Sequence, residues 1–322
     1  TSQREATPEK GTTRFNEDLK TIEFYTGVDW RPVNYYSDGG GRGRGVFGGG
    51  GTPASLSAID FITISTIGNA ITFGNLSQAN SQLSACSSET RGVFGGGSPG
   101  SSTGFDTIEY VTIASAGNVI NFGQLTTGRR MLAACSSSTR GIFAGGVNPT
   151  ATQNTIDYIT IATTGNAISF GSLSVARRTQ NGSCSSSTRG IFNGGASPSY
   201  VNTMDYITIA STGNAINFGN PLFTGAYRTG CSNSVRGLFA NGALPTGYTN
   251  SIEYVTIASV GNSIYFGDLT ISRHGAASAS SSTRAVWAGG ADASNYYNTI
   301  DYITIASAGN AINFRSEEHT SE

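Results

Sequence analysis

One phrase returns through this chain at a nearly fixed interval, and it limits the fold more than any other feature. Arg-Gly-Val-Phe-Gly-Gly starts at Arg44 and again at Arg91. It reads Arg-Gly-Ile-Phe at Arg140 and Arg189, Arg-Gly-Leu-Phe at Arg236 and Arg-Ala-Val-Trp at Arg284. The steps are 47, 49, 49, 47 and 48 residues. A second phrase follows each time: Ile156-Asp157-Tyr158-Ile159-Thr160-Ile161 is matched at 59–64, 108–113, 204–209, 252–257 and 300–305. A Gly-Asn pair and a short apolar run ending in Phe then close the copy, as in residues 165–170. Repeats of this length are single supersecondary units that bury their apolar faces only by stacking on their neighbours.

Each copy reads as four strands. A small-residue strand such as Ala133-Ala134-Cys135-Ser136-Ser137 comes first, and Gly141-Ile142-Phe143 runs into the pair Gly145-Gly146. The third strand, 156–161, is rich in β-branched and aromatic residues. The fourth, 167–170, follows a turn at Gly165-Asn166, two residue types that tolerate positive φ. Apolar character on both faces of the third strand requires cover on both sides. Blades stacked around an axis provide that cover, and Ala, Cys and Ser suit the crowded innermost strand. The expected fold is all-β: a propeller of six visible four-stranded blades, the last stopping at Phe314.

Composition excludes several function classes. Charged residues are 12% of the chain, about half the usual share, and Gly reaches 44 residues. Such a composition fits disorder or a folded chain rich in turns, and apolar residues that recur in register favour the second. A formal charge of −1 makes no electrostatic case for nucleic acid or an anionic membrane. No apolar run approaches the roughly 20 residues that span a bilayer. Residues 315–322 resemble one reading frame of a short-read sequencing adapter and begin where the repeat pattern stops, so they are set aside as an artefact.

The glycine pair ending the second strand, the aromatic on the fourth and arginine in the crossover between copies (Arg129, Arg130, Arg177, Arg178, Arg228, Arg273) together resemble the kelch repeat. The resemblance covers Arg44 to Phe314. It departs from the family in having Phe where the fourth strand typically carries Trp, and Ala240-Asn241-Gly242 where the glycine pair belongs. Kelch-like propellers commonly have six or seven blades, so the resemblance leaves room for a seventh, or for a single strand that closes the ring.

Residues 1–40 form a separate short module and 41–314 the propeller. In the module, Gly11-Thr12-Thr13-Arg14-Phe15-Asn16, then Thr21-Ile22-Glu23-Phe24-Tyr25, then Thr26-Gly27-Val28-Asp29-Trp30 read as two short strands joined by the polar turn 17–20, with a glycine turn before Trp30. This string resembles a β-module of tailed-phage fibre and appendage proteins. The resemblance implies a structural protein of the virion.

Residues that carry chemistry are scarce. Cys86, Cys135, Cys184 and Cys231 each stand five residues before their repeat's Arg, so they hold one equivalent place in different blades and read as buried small hydrophobes rather than disulfides or metal ligands. Outside residues 315–322 the sole histidine is His274, read as an exposed crossover residue, and one histidine builds no usual zinc or copper site. Kelch-like oxidases need several His and Tyr metal ligands, which are not found here. No Ser-His-Asp set or phosphate loop is visible either. The expectation is no enzyme and no cofactor.

Two arrays of charge recur. The strand-opening arginines 44, 91, 140, 189, 236 and 284 form either an anion-binding ring or contacts between blades. The third-strand acids are Asp60, Glu109, Asp157, Asp205, Glu253 and Asp301. If Gly146 pairs with Ile156, Arg140 falls opposite Ala162, far from Asp157. The acids then read as solvated strand ends or blade contacts.

The copies differ most between the glycine pair and the third strand, at 98–105, 198–202, 245–250 and 292–298. Tyr, Ser, Gly and Asn in these loops make an adaptable recognition surface, with rigid aromatic area and flexible hydrogen bonding. Three core positions per repeat use eighteen of the 32 aromatic residues, so the loop tyrosines are surplus to the core. The binding candidates are Tyr200, Tyr248, Tyr296 and Tyr297, as stacking contacts, and Asn298 as a hydrogen-bond donor. The expected partner is a host-surface glycan or protein, or another virion protein. The competing readings are a kelch-like protein-interaction scaffold in a bacterial cell and polar loops with no ligand.

Overall fold

The structure is a computed structural model that describes residues 8–16, 21–32, 43–100 and 102–314. The polar turn at 17–20 and the adapter-like residues 315–322 lie outside the described residues. The chain divides into two compact units, Thr1–Gly39 and Gly40–Glu322.

The smaller unit contains an antiparallel sheet of Thr13–Asn16, Thr21–Tyr25 and Trp30–Pro32. Two strands were expected there; Trp30 opens a third. The reversal comes from Gly27 at φ +100° and from the Thr26 hydroxyl, which accepts the amide hydrogens of Val28 and Asp29. Arg14 faces Glu23 across the first pair, and its Nε donates to Oε2 at 2.9 Å. The same guanidinium lies 4.5 Å over the Trp30 ring, a cation–π contact. Alternation puts Phe15, Ile22 and Phe24 on the opposite, exposed face.

The larger unit is a six-bladed β-propeller, with no helix among the described residues. Blade 3 shows the plan. Ala133–Ser136 lies innermost, followed outward by Arg140–Ala144, Thr155–Thr160 and Ile168–Ser172, all antiparallel. Blades 2, 4, 5 and 6 repeat this four-stranded order. Blade 1 has three strands among the described residues: Arg44–Gly48, Leu56–Thr63 and Ile71–Asn80. Each third strand fills the gap between blades, so that Ile156, Ile159 and Ile161 are all buried. Each outer strand turns one isoleucine to solvent, as at Ile120, Ile168 and Ile216.

Two devices, repeated around the ring, join blade to blade. In the first, the Gly-Asn turn of one blade grips the outer strand of the blade before it. Gly165 N–H donates to Phe122 O at 2.8 Å, and Asn166 Oδ1 accepts from Gln124 N–H at 3.1 Å. Asn118, Asn214, Asn262 and Asn310 make the same bond. The turn therefore covers part of an edge strand that would otherwise expose its backbone. The close approach demands glycine on the outer strand: a Cβ on Gly171 would lie 2.2 Å from Gly213 O.

In the second device the strand-opening arginine staples its blade to the next. Arg140 stacks over Tyr158 of its own blade at 4.4 Å and donates from Nη1 to Ile209 O at 2.8 Å. Arg44, Arg91, Arg189, Arg236 and Arg284 do the same with their equivalents. Between the two readings of these arginines, contacts between blades is the one observed. The expected register needs correction by two residues: Ala144, not Gly146, faces Ile156, and Arg140 faces Thr160. Gly145 and Gly146 take φ of +65° and +99°, which turns them out of the ladder. In blade 5, Asn241 holds the first of these places at φ +54°, a conformation Asn tolerates better than most residues.

Both devices also join blade 6 to blade 1. Arg284 donates to Ile64 O at 2.8 Å, and Gly68 N–H donates to Phe314 O at 3.0 Å. Ile62, Ile64, Val286, Ile300 and Phe314 share one core cluster across that junction. The ring is closed with six blades, and in this structure a seventh has no place.

The third-strand acids correct another expectation. Asp157, Asp205, Glu253 and Asp301 are fully buried, not solvated, and each pairs with a buried crossover arginine of its own blade. Arg129 Nη2 donates to Asp157 Oδ2 at 2.9 Å, and Thr126 of the preceding blade donates to Oδ1 at 2.7 Å. Burial pulls the Arg129 guanidinium below its ordinary pKa, and the Asp157 charge pushes back. Blade 5 reaches the same pairing differently: Arg228 stands three residues before Cys231, whereas Arg129 stands six before Cys135, and the acid is the longer Glu253.

Candidate functional site

Up-and-down blades sort their connections by face. Turns between strands one and two, and three and four, emerge on one face. The loops between strands two and three, and the crossovers to the next blade, emerge on the other. Backbone bridges tie these last two together, at Arg130 with Val147, Arg178 with Ala196, Ala226 with Ala243 and His274 with Ala291. The variable loops and the crossovers therefore form one continuous surface, the crossover face.

All five sequence-derived candidates lie on that face, in three loops. Tyr200 is half-buried in a small hairpin of Ala196–Ser197 and Ser199–Tyr200. Tyr248 sits in the matching hairpin of blade 5, Ala243–Leu244 with Gly247–Tyr248. Tyr296 bridges to Ala291 in blade 6 and is 57% exposed. Tyr297 is held by its own loop, its hydroxyl donating to Asp292 Oδ2. That bond and the amides of Ser294 and Asn295 hold the Asp292 carboxyl well below the usual carboxylate range. Tyr297 is thus a brace of its loop, while Asn298 is exposed beside it.

The structure adds members that the sequence reading missed. His274 is half-buried rather than a free crossover residue. Its ring stacks on Tyr248 at 4.7 Å and 11°, and Tyr227 tilts against it at 5.9 Å. This cluster joins the loop of blade 5 to two successive crossovers, and no ring contact links it to Tyr200, Tyr296 or Tyr297 among the described residues. The His274 Nδ1 atom is buried without a hydrogen-bond partner.

A ring of unusual backbone surrounds the axis on the same face. Gln82, Met131, Gln180 and Tyr227 have φ of 58°, 56°, 39° and 60°, and Gly275 has 66°. Each stands four residues before Cys86, Cys135, Cys184, Cys231 or Ala279. For residues other than Gly this conformation costs about 1–2 kcal/mol each, and such strain tends to gather at functional surfaces. Gly275 at the shared offset was the sequence signal for it. Side chains from the ring interlock: Arg130 Nη1 donates to Gln82 Oε1 at 2.9 Å, and Ser84 Oγ donates to Asn181 Oδ1 at 2.7 Å, joining blades 2 and 4.

The opposite face presents a shallow mouth of 400 Å³ lined by Ser88, Ser137, Ser186, Asn233 and Ser281. Between the faces, Cys86, Cys135, Cys184 and Cys231 are buried free thiols. Burial raises their pKa values, that of Cys86 to about 12, so they are not nucleophiles at neutral pH. No group of three His, Cys, Asp or Glu that could hold a metal ion occurs among the described residues. No helix there is long and apolar enough to cross a membrane.

The crossover face offers aromatic area, amides and hydroxyls on a rigid frame, an arrangement suited to recognition. The fold and this face define a β-propeller of the kind that serves as an interaction scaffold. No protein-family model matches the chain, and no curated protein is similar to it.

Proposed function

We propose that this protein is a non-enzymatic component of a virus particle, a tail fibre or appendage, whose propeller binds a host-surface glycan or protein through its crossover face. One observation carries the reading: the loops that differ between otherwise repeated copies emerge together, around strained backbone, with aromatic side chains the core does not use. The likeness of residues 11–30 to phage appendage modules supports the virion setting. Stacking on sugar or peptide falls to Tyr248, backed by His274 and Tyr227, and to the exposed Tyr296. Tyr200 and Asn298 border them, and Tyr297 keeps its loop in shape. No cofactor enters this reading.

The test is binding of the purified chain to host cells and to arrayed surface glycans, with Tyr248→Ala and Tyr296→Ala beside the parent. A centrally placed aromatic contributes about 2 kcal/mol or more, so affinity should fall about 30-fold. Thermal midpoints should stay near that of the parent. Variants that bind as tightly as the parent overturn the assignment of the face.

A second reading follows from the kelch-like repeat: a scaffold that docks other proteins in a bacterial cell. It is favoured if the chain retains protein partners from a lysate through the same face and binds neither cells nor glycans.

A further inference from the structure

We infer, resting on the recognition function proposed above, that the crossover face holds a subsite for the carboxylate of an acidic sugar, built from Arg130, Arg178 and Gln180 beside the axis. These two arginines are ones the frame does not use. Arg44, Arg91, Arg140, Arg189, Arg236 and Arg284 staple blade to blade. Arg129, Arg177, Arg228 and Arg273 pair with buried acids. Among the described arginines of the propeller, only Arg130 and Arg178 do neither. Arg130 donates to Gln82 Oε1 at 2.9 Å and to Ser102 O at 3.5 Å, both uncharged. The half-buried Arg178 guanidinium makes no hydrogen bond, ion pair or ring contact among the described residues, and its Nε is buried without a partner.

The fold sets the two side by side. Both hold one equivalent place, the crossover residue that bridges to the adjacent loop: Arg130 to Val147, Arg178 to Ala196 and, in blade 6, His274 to Ala291. The crossovers of Arg130 and Arg178 touch, because the amides of Thr179 and Gln180 both donate to Met131 O, at 2.9 and 3.0 Å. Gln180 then reaches across the mouth of the axis. Its Nε2 lies 3.5 Å from the place a Cβ on Gly275 would take, and its carboxamide makes no hydrogen bond among the described residues. Gly275 follows His274, so this free amide connects the arginines with the stack of His274 on Tyr248.

Charge selects the sign of the ligand. On the described loops and crossovers of this face the acids are Asp106 and Asp292. Asp292 is occupied by the Tyr297 hydroxyl and the amides of Ser294 and Asn295. Neither acid forms an ion pair with Arg130 or Arg178. A guanidinium without an acid offers a planar fork that takes a carboxylate through two parallel hydrogen bonds. The propeller has no lysine, and two arginines are too few to follow a phosphate backbone, which speaks against nucleic acid. A flat aromatic face next to a few placed polar groups suits a sugar ring with hydroxyls better than a bare acidic side chain.

The test presents the full chain with immobilised oligosaccharides in matched pairs, uronate- and sialate-bearing chains each beside its carboxyl-reduced, neutral form. The acidic member of the preferred pair should bind about tenfold more tightly, the worth of one hydrogen bond to a charged group. Added salt should narrow that gap. Arg178→Gln should close most of it, and Arg178→Lys, with the charge but not the fork, should fall between. The comparison within a pair needs only the parent chain, and the thermal midpoint reports whether each variant is folded. Equal binding of both members by the parent overturns the subsite and leaves the recognition function standing. An unchanged gap in Arg178→Gln overturns the residues assigned to it. Binding of an acidic peptide in preference to every sugar pair overturns the choice of a sugar. Binding to no glycan and to no host cell overturns the subsite together with the function on which it rests.

Discussion

The two faces of the propeller are built from the same six repeats and obey different rules. On the face of the Gly-Asn turns the copies hardly vary: glycine and asparagine clasp the preceding outer strand at five junctions with one geometry. On the crossover face the loops differ in length, tyrosine content and local pairing. The contrast separates two demands. Where a residue joins blades, its geometry is set by a neighbouring backbone and every copy must comply. Where the chain only returns to the axis, many sequences satisfy it.

The comparison breaks most visibly at the buried ion pairs, which belong to the crossover side and yet are structural. Arg177→Met leaves Asp205 charged and unpaired in the core, and should cost about 3–5 kcal/mol in urea unfolding. Arg177→Met combined with Asp205→Leu should recover most of that loss, since the charge is removed with its partner. On the clasp face, Gly171→Ala drives a Cβ against Gly213 O and should cost about 1–3 kcal/mol. A change smaller still, of opposite sign, is expected from Asn241→Gly. It restores the glycine pair of the other blades and removes two buried amide atoms without partners, for a gain of about 1 kcal/mol. Least of all, Tyr296→Ala should move stability by about 0.5 kcal/mol or less, because the side chain is mostly in solvent. A larger loss there would mean that this loop, too, is part of the frame.

Much of the frame was legible because repetition exposes it. Six equal phrases with small residues, a glycine pair, a β-branched run and a Gly-Asn turn already imply blades, and the four buried cysteines follow from a shared offset. What escaped were relations between residues far apart. Asn166 reads locally as a turn former; that its carboxamide also holds Gln124 needs the neighbouring blade in place. Arg129 and Asp157 carry no mark of each other in the sequence, since 28 positions separate them. The register slipped by two because both glycines were counted as paired residues, although their φ values take them out of the ladder. On the candidate face the tyrosines were legible as a surplus. The stack of Tyr227, His274 and Tyr248 was not, because a lone histidine beside an arginine resembles any exposed crossover.

Closure of the ring has a consequence for how the chain finds its shape. Five arginine staples span 68–70 residues of sequence, whereas the one from Arg284 to Ile64 spans 220. Loop-closure entropy grows with the logarithm of length, so this last junction costs about 1 kcal/mol more than its equals for the same bonds. The molecule is chemically six-fold but entropically has a seam. The junction between blades 6 and 1 is thus the least favoured of the six by chain entropy, and hydrogen exchange is expected to show its amides opening before those of the other junctions.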